Sequence, residues 1–413
     1  MNLHKLSLGL GLFLNLCNWM PAMAVLPFDS TKLYHADIQL NDRLSLPFEL
    51  SYIEGPTPAL IILNGKEEIA MTLQKEVQDT LYFDFPQVAG SLVFSKITQR
   101  GYWLNLNKAK ATQFPFNFYK SSKSNLRFDS DAHSFSEDFS GRYAVQFTDK
   151  DNHVESAIGL FQQDGNQVEG TFRTETGDYR YLEGMVQGNK LRMSSFDGVH
   201  AYYFEGILTD NKRIQGDFYS GSTYHVTWEG TKDDAIELRS PYQISHAIEP
   251  NETLRISVKK QNGRKKTLSA TYFRGQPTVV QIIGTWCPNC LDETNYFKSL
   301  LEKPEFSNIL WVSIAFENGE TDAERIKRIQ AYVRKSKLKH AFYLGGGASS
   351  KAASTVFNQL NGVFSFPTTL YLDKNGRIAS VHSGFDGPAT QNYFEDYKKN
   401  TETLLRSLMA KPE

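Results

Sequence analysis

Two cysteines spaced by two residues, Cys287 and Cys290, sit in the run Trp286-Cys287-Pro288-Asn289-Cys290 and are the residues best suited to chemistry. Thiols at that spacing can cycle between dithiol and disulfide: one attacks a substrate disulfide, the other resolves the mixed disulfide. A structural staple is the weaker reading, because so short a loop removes little chain entropy. Half of a zinc site is the other alternative. Zinc normally takes four ligands, and beyond the first two dozen residues the sequence offers neither another cysteine nor a closely spaced His pair. The redox reading is therefore preferred.

The elements that must position this pair lie beside it. Residues 279–283 (Val-Val-Gln-Ile-Ile) read as a buried strand, and Leu291, Tyr296, Phe297, Leu300 and Leu301 mark one face of a helix that starts at the cysteines. A strand running straight into a helix puts Cys287 at the helix N-terminus, where free N–H groups and the dipole favour a thiolate. Cys287 is thus the expected nucleophile and Cys290, one turn further in, the resolving thiol. Pro288 suits the first helical turn, where its missing N–H costs nothing. Further on, 309–314 reads as another buried strand, and Thr321 with Glu324 forms a capping box for a helix with Ile326, Ile329, Tyr332 and Val333 on its apolar face. Residues 368–372 and 377–381 flank a turn at 373–376, and 393–409 reads as a closing helix. Strands alternating with helices predict α/β structure.

Upstream the texture differs. From 25 to 232, short runs of alternating polar and apolar residues are broken by turn signals, the pattern of antiparallel β structure. The clearest candidate strands are 141–147, 156–161, 167–172, 179–183, 190–193, 201–206, 214–218 and 224–228, with Asp164-Gly165, Asp197-Gly198 and Ser220-Gly221 among the turns between them. A meander closing into a barrel, or folding into a sandwich, hides its edges. Residues 32–118 are less regular, with Asn64-Gly65 as a hairpin signal; prolines 47, 56, 58, 86 and 115 predict short or edge strands. The polar clusters 176–180 and 195–200 read as turn-stabilising side chains rather than a ligand site. Isolated His340 and His382 read as hydrogen-bonded or surface residues.

At 413 residues the chain exceeds one ordinary core, so several domains are expected. Apolar content of 40% and charged content of 22% exclude a disordered chain. A formal charge of −1 with no basic run excludes a nucleic-acid partner. Lys5, the apolar stretch 6–16 and Ala22-Met23-Ala24 form an export signal too short to span a bilayer, and Leu16 before Cys17 argues against lipidation. The expected product is periplasmic or secreted, without stable membrane insertion. The chain divides into a signal peptide (1–24), a β-rich module (25–130), an antiparallel β meander or barrel (131–238), a linker with leading hairpin at Asn262-Gly263 (239–265) and an α/β domain (266–413).

With these residues in hand, 250–411 resembles the thioredoxin superfamily, and specifically the TlpA-like thiol-disulfide oxidoreductases, through the Trp286-Cys287-Pro288-Asn289-Cys290 motif, the acid Glu293 three residues after the second cysteine, and Phe366-Pro367 at the family's cis-proline loop. The resemblance implies a C-terminal thioredoxin fold behind an N-terminal β-rich extension. It implies Glu293 as an aid to proton transfer, with a helix-surface acid as the alternative, and Trp286, Pro288, Phe366 and Pro367 as substrate-contacting residues, with plain packing as the alternative for Trp286. The buried acid that thioredoxin carries six residues before the first cysteine is replaced by Gln281, which shifts weight to Glu293. The implied activity is reduction of protein disulfides, with electrons from an upstream thiol donor and no cofactor or metal. Direction is open, because potentials of such pairs span about −270 to −120 mV. Peroxidase activity is disfavoured by Gly284, which stands where a peroxiredoxin has threonine. A copper-handling protein of the same fold, and a β region acting as a partner-binding module, remain the alternatives.

Overall fold

The computed structural model describes residues 33–86, 88–107, 110–120, 127–128, 136–209 and 212–410. The expected signal peptide and the 130/131 boundary lie outside them. Residues 33–120 form a closed antiparallel barrel of eight strands: β1 (Leu33–Gln39), β2 (Ser45–Ile53), β3 (Ala59–Asn64), β4 (Glu67–Val77), β5 (Thr80–Asp84), β6 (Gly90–Ser95), β7 (Arg100–Asn105) and β8 (Thr112–Lys120). The last pairs with the first. Alternation along β1 turns Tyr34, Ala36 and Ile38 inward, as a two-residue period requires. Phe48, Phe83, Phe94, Trp103 and Phe116 fill the interior. The expectation that Pro47 and Pro115 mark short or edge strands fails here. Both lie inside nine-residue strands, paired with Asp37 and Tyr102, since a closed barrel has no edge and each proline forgoes just one ladder bond.

A second barrel follows, made of β9 (Gly141–Thr148), β10 (Val154–Asp164), β11 (Gln167–Thr174), β12 (Gly177–Asp178), β13 (Leu182–Gln187), β14 (Lys190–Phe196), β15 (Ala201–Leu208), β16 (Arg213–Ser220) and β17 (Tyr224–Lys232). The pairings β9–β17 and β10–β11 close the ring, and the two-residue β12 folds back on the end of β11. Of the two options open in the sequence, barrel and sandwich, the N-terminal region takes the barrel. Phe147, Phe172, Phe204, Phe218 and Trp228 form the second core. Phe196, at the end of β14, leaves it and packs in the first core, 4.8 Å from the Phe48 ring and 4.9 Å from Trp103.

The C-terminal region is α/β. Its sheet runs β19-β18-β22-β21-β20-β23-β24, with β18 (Ile256–Lys259), β19 (Lys265–Leu268), β20 (Thr278–Ile283), β21 (Leu310–Glu317), β22 (Ala341–Gly347), β23 (Thr368–Leu372) and β24 (Ile378–Ser383). Strands β20, β21 and β22 are parallel, and β23 runs antiparallel to β20. Six helices accompany it: α1 (Pro241–Ile244), α2 (Ala270–Phe273), α3 (Pro288–Leu301), α4 (Asp322–Lys335), α5 (Ser350–Val356) and α6 (Asn392–Ala410). Strand β20 is buried along its whole length, as a strand covered on both faces must be. Val279 and Ile283 meet Phe297, Ile329 and Leu405 from α3, α4 and α6, whereas Val280 and Ile282 meet Phe273 and Ala353 from α2 and α5. The boundary expected at 265/266 runs through β19. The Asn262-Gly263 turn folds β18 and β19 together, and Lys259 pairs with Leu344 of β22, so this hairpin belongs to the α/β sheet rather than to a linker.

Candidate active site

Strand β20 ends at Ile283, and the chain passes through Gly284-Thr285-Trp286 into α3. Gly284 is required by close packing: a Cβ there would come 2.4 Å from the indole of Trp286. Cys287 is the N-cap of α3, its Sγ accepting the Cys290 backbone N–H at 3.2 Å, and Pro288 opens the helix. Cys287 and Cys290 are joined as a disulfide with Cα atoms 5.2 Å apart. Cys287 keeps 7% of its surface exposed and Cys290 none. Cys287, the expected nucleophile, thus lies outside Cys290, on a helix N-terminus that favours a thiolate.

The other expected residues converge here. The Phe366–Pro367 bond is cis, and the Phe366 carbonyl lies 3.5 Å from Cys287 Sγ. The indole of Trp286 donates from Nε1 to the Phe316 carbonyl at 2.9 Å and meets the Phe366 ring edge-on at 5.6 Å. Glu293 is fully buried, which rules out a helix-surface acid. Its carboxylate accepts from Gln281 Nε2 at 2.7 Å, Thr369 Oγ1 at 2.9 Å and the Tyr397 hydroxyl at 2.8 Å. Burial pushes its pKa up to about 7 against the pull of those three donors. Gln281, which replaces an acid, also accepts from Thr294 and Ser313 and so ties α3 to the sheet. His382 lies buried between the Tyr242 and Tyr397 rings, and His340 stacks on Trp311. Neither touches the cysteines.

Three features went unread in the sequence. Glu317, buried at the end of β21, accepts from both the backbone N–H (2.7 Å) and the hydroxyl (2.9 Å) of Thr285, and burial lifts its pKa to about 7. The Asn289 side chain donates to the Asp178 carbonyl of the second barrel at 2.9 Å. Arg180, buried, joins Asp292 of α3, Glu67 of the first barrel and Asp197 of the second. Burial pushes Asp292 up to about 6 despite Arg180. Burial also opposes ionisation of Asp197, but His200 and Arg180 outweigh it and bring its pKa to about 2. The composition of 176–180 and 195–200 signalled polar turns; what these turns face is a contact across domains, which no local pattern encodes.

Residues 249–398 match the Redoxin family model. No curated protein sequence matches the chain. Among solved structures, a thioredoxin-family thiol:disulfide interchange protein from Chlorobium tepidum TLS shares 16% identity, covering 40% of this chain and all of its own, with a TM-score of 0.29. A thiol-disulfide isomerase from Corynebacterium glutamicum shares 15% over 40% of this chain and 97% of its own, at TM-score 0.29. StoA from Bacillus subtilis shares 18% over 37% of this chain and 99% of its own, at TM-score 0.26. The fold rests on the strand order above and on the family match, which spans the cysteines, Glu293 and Pro367. Residues 249–398 are therefore a Redoxin domain with a thioredoxin fold, carried behind an N-terminal β-rich region.

Proposed function

We propose that the chain is an exported thiol-disulfide oxidoreductase that reduces disulfides of other exported proteins through Cys287 and Cys290. The observation that carries this reading is the placement of Cys287: N-cap of α3, slightly open to solvent, beside the Phe366 carbonyl, with Cys290 shielded behind it. In the dithiol form, the Cys287 thiolate attacks one sulfur of the substrate disulfide, and the other leaves as a thiolate that takes a proton from water. Cys290 then gives its proton to Glu293, which follows it by three residues and so shares its helix face. The Cys290 thiolate attacks Cys287 Sγ, and the second substrate thiolate departs and takes a proton from water, which receives the Glu293 proton in turn; the substrate has gained two electrons and two protons. An upstream thiol donor returns two electrons to the Cys287–Cys290 disulfide. Export rests on the leader-like stretch 1–24; among the described residues, no helix is long and apolar enough to cross a membrane.

The test is the reduction potential of the pair, by equilibration with glutathione or dithiothreitol and thiol trapping, with Cys287→Ser as control. A reversible two-electron couple nearer about −270 mV than −120 mV supports the reductase. A couple at the oxidising end overturns the direction while keeping the chemistry, and no couple at all overturns both.

A further inference from the structure

The second barrel lies against the cysteine pair. The turn between β11 and the chain leading to β13 is laid on both borders of Cys287. On one border, Asn289 donates to the Asp178 carbonyl, and a Cβ on Gly177 would come 2.8 Å from Asn289 Nδ2. On the other, Gly384 donates its N–H to the carbonyl of Pro367 at 2.9 Å, and a Cβ on Gly384 would come 2.8 Å from the Thr176 carbonyl carbon. The Gly387 N–H donates to the Asp178 carboxylate. Glycine at 177, with φ of 137°, and at 384, with φ of 77°, is what lets two backbones approach so closely.

The turn is also held rigidly from behind. The Thr174 hydroxyl donates to the Gly177 carbonyl at 2.9 Å and accepts from the Thr176 N–H. Arg173 forms a buried two-point pair with Asp386, at 2.7 and 3.1 Å. Arg180 binds Asp292 at the base of α3 and Glu67 of the first barrel. Planar, two-point pairing of this kind fixes geometry as well as charge.

Resting on the oxidoreductase reading, we propose that the turn Thr174–Arg180 is the specificity wall of this site. It is a fixed part of the substrate groove, supplied by the second barrel, that admits disulfides on small or extended carriers to Cys287 and excludes those on the surface of folded proteins. Exclusion by a built-in clash discriminates as effectively as attraction does. Folded-protein disulfides approach on a broad surface that must overlap the turn, whereas a small disulfide can reach the exposed edge of Cys287 without meeting it.

The test compares the full-length reduced protein with Gly177→Val, which pushes the turn off Asn289, and Arg173→Leu, which removes the Asp386 anchor. Each is assayed by kcat/KM on a small aromatic disulfide, a linear peptide disulfide and a stably folded disulfide protein. For the parent, the folded protein should react at least about tenfold more slowly than the linear peptide; each variant should narrow that gap about tenfold, with the small disulfide held within about twofold. Equal parent rates on linear and folded carriers overturn the wall. So does an unchanged ratio in Arg173→Leu, a variant that leaves every backbone torsion available should Gly177→Val misfold. If the parent reduces none of the three carriers, the oxidoreductase reading fails; if small disulfides react and the ratio stays fixed, the wall alone fails.

Discussion

At the scale of single residues, Glu293 carries the most testable chemistry. It is a carboxyl held at a pKa of about 7 by burial, on the helix face of Cys290, with its donors supplied by Gln281, Thr369 and Tyr397. A base must be ionised to accept a proton, so resolution by Cys290 should accelerate as pH rises through about 7 and slow below it. Glu293→Gln removes the base and keeps the shape. It should lower the resolving rate by about 100-fold and flatten its dependence between pH 6 and 8; an unchanged profile in stopped-flow traces would assign the titration elsewhere. Cys290→Ser should leave attack intact and accumulate a mixed disulfide at Cys287, visible by mass spectrometry, whereas Cys287→Ser should form none. The two cysteines, Glu293 and Pro367 were legible in the sequence because motif spacing places them, and composition alone suggested neither the burial of Glu293 nor its three partners.

At the scale of elements, local rules did most of the work where they could act alone. The strand at β20, the helix opening at the cysteines, and the hairpins at Asn64-Gly65 and Asp164-Gly165, with glycine φ of 56° and 58°, all follow from period and turn chemistry. Thr321 caps α4 by accepting from the Glu324 N–H, while the Glu324 carboxylate reaches the N–H of Glu320 rather than that of Thr321. Where the reading failed, the cause was pairing between distant strands: prolines 47 and 115 are tolerated by barrel closure, and the 256–268 hairpin is claimed by β22. Glu317 belongs to the same class, since its partner Thr285 sits on a different strand end. Thr285→Val deletes one of the two donors to that buried carboxylate. It should cost about 1–2 kcal/mol of stability by chemical denaturation. The cost should be larger at pH 8, where Glu317 is ionised, than at pH 5.5, where its proton lowers the demand for a donor; a pH-independent loss would mean that Glu317 stays in one protonation state across that range.

At the scale of the whole molecule, the two barrels and the Redoxin domain share buried charge. Arg180 meets acids from all three, and Lys335 and Arg328 of α4 reach carbonyls of the first barrel at Phe85, Val88 and Leu106. The sequence showed that polar residues cluster at 176–180 and 195–200; which domain each would face depends on how the modules dock, and hydrophobic period says nothing of that. Packing within and between these domains leaves several acids short of water. Glu49, Asp178, Glu293 and Glu317 are each pushed up to about 7, chiefly by burial, and Asp292 to about 6. In the unfolded chain these groups lose their protons near pH 4 to 4.5, whereas the native fold keeps them until about pH 7. Between those limits the native state binds more protons, so stability is full below the unfolded value and is lost as pH rises through the folded one. Asp197, held near 2, has the opposite sign, but its window lies below this range; His340 and His382, which burial pushes down to about 3 and about 4 from an ordinary 6.5, oppose the fall below about pH 6.5, two groups against five. The oxidised protein should therefore melt at a higher temperature at pH 5 than at pH 8, by roughly 5 °C or more, a difference on the order of several kcal/mol. Calorimetry across that range should show the fall steepest between pH 5 and 7, and Glu49→Gln, in the first barrel and far from the cysteines in sequence, should reduce the slope without touching disulfide exchange. A rise in melting temperature toward pH 8 would instead mean that these carboxyls stay ionised in the native state, with Arg180 beside Asp292, Arg127 beside Glu49 and the surrounding donors outweighing their burial.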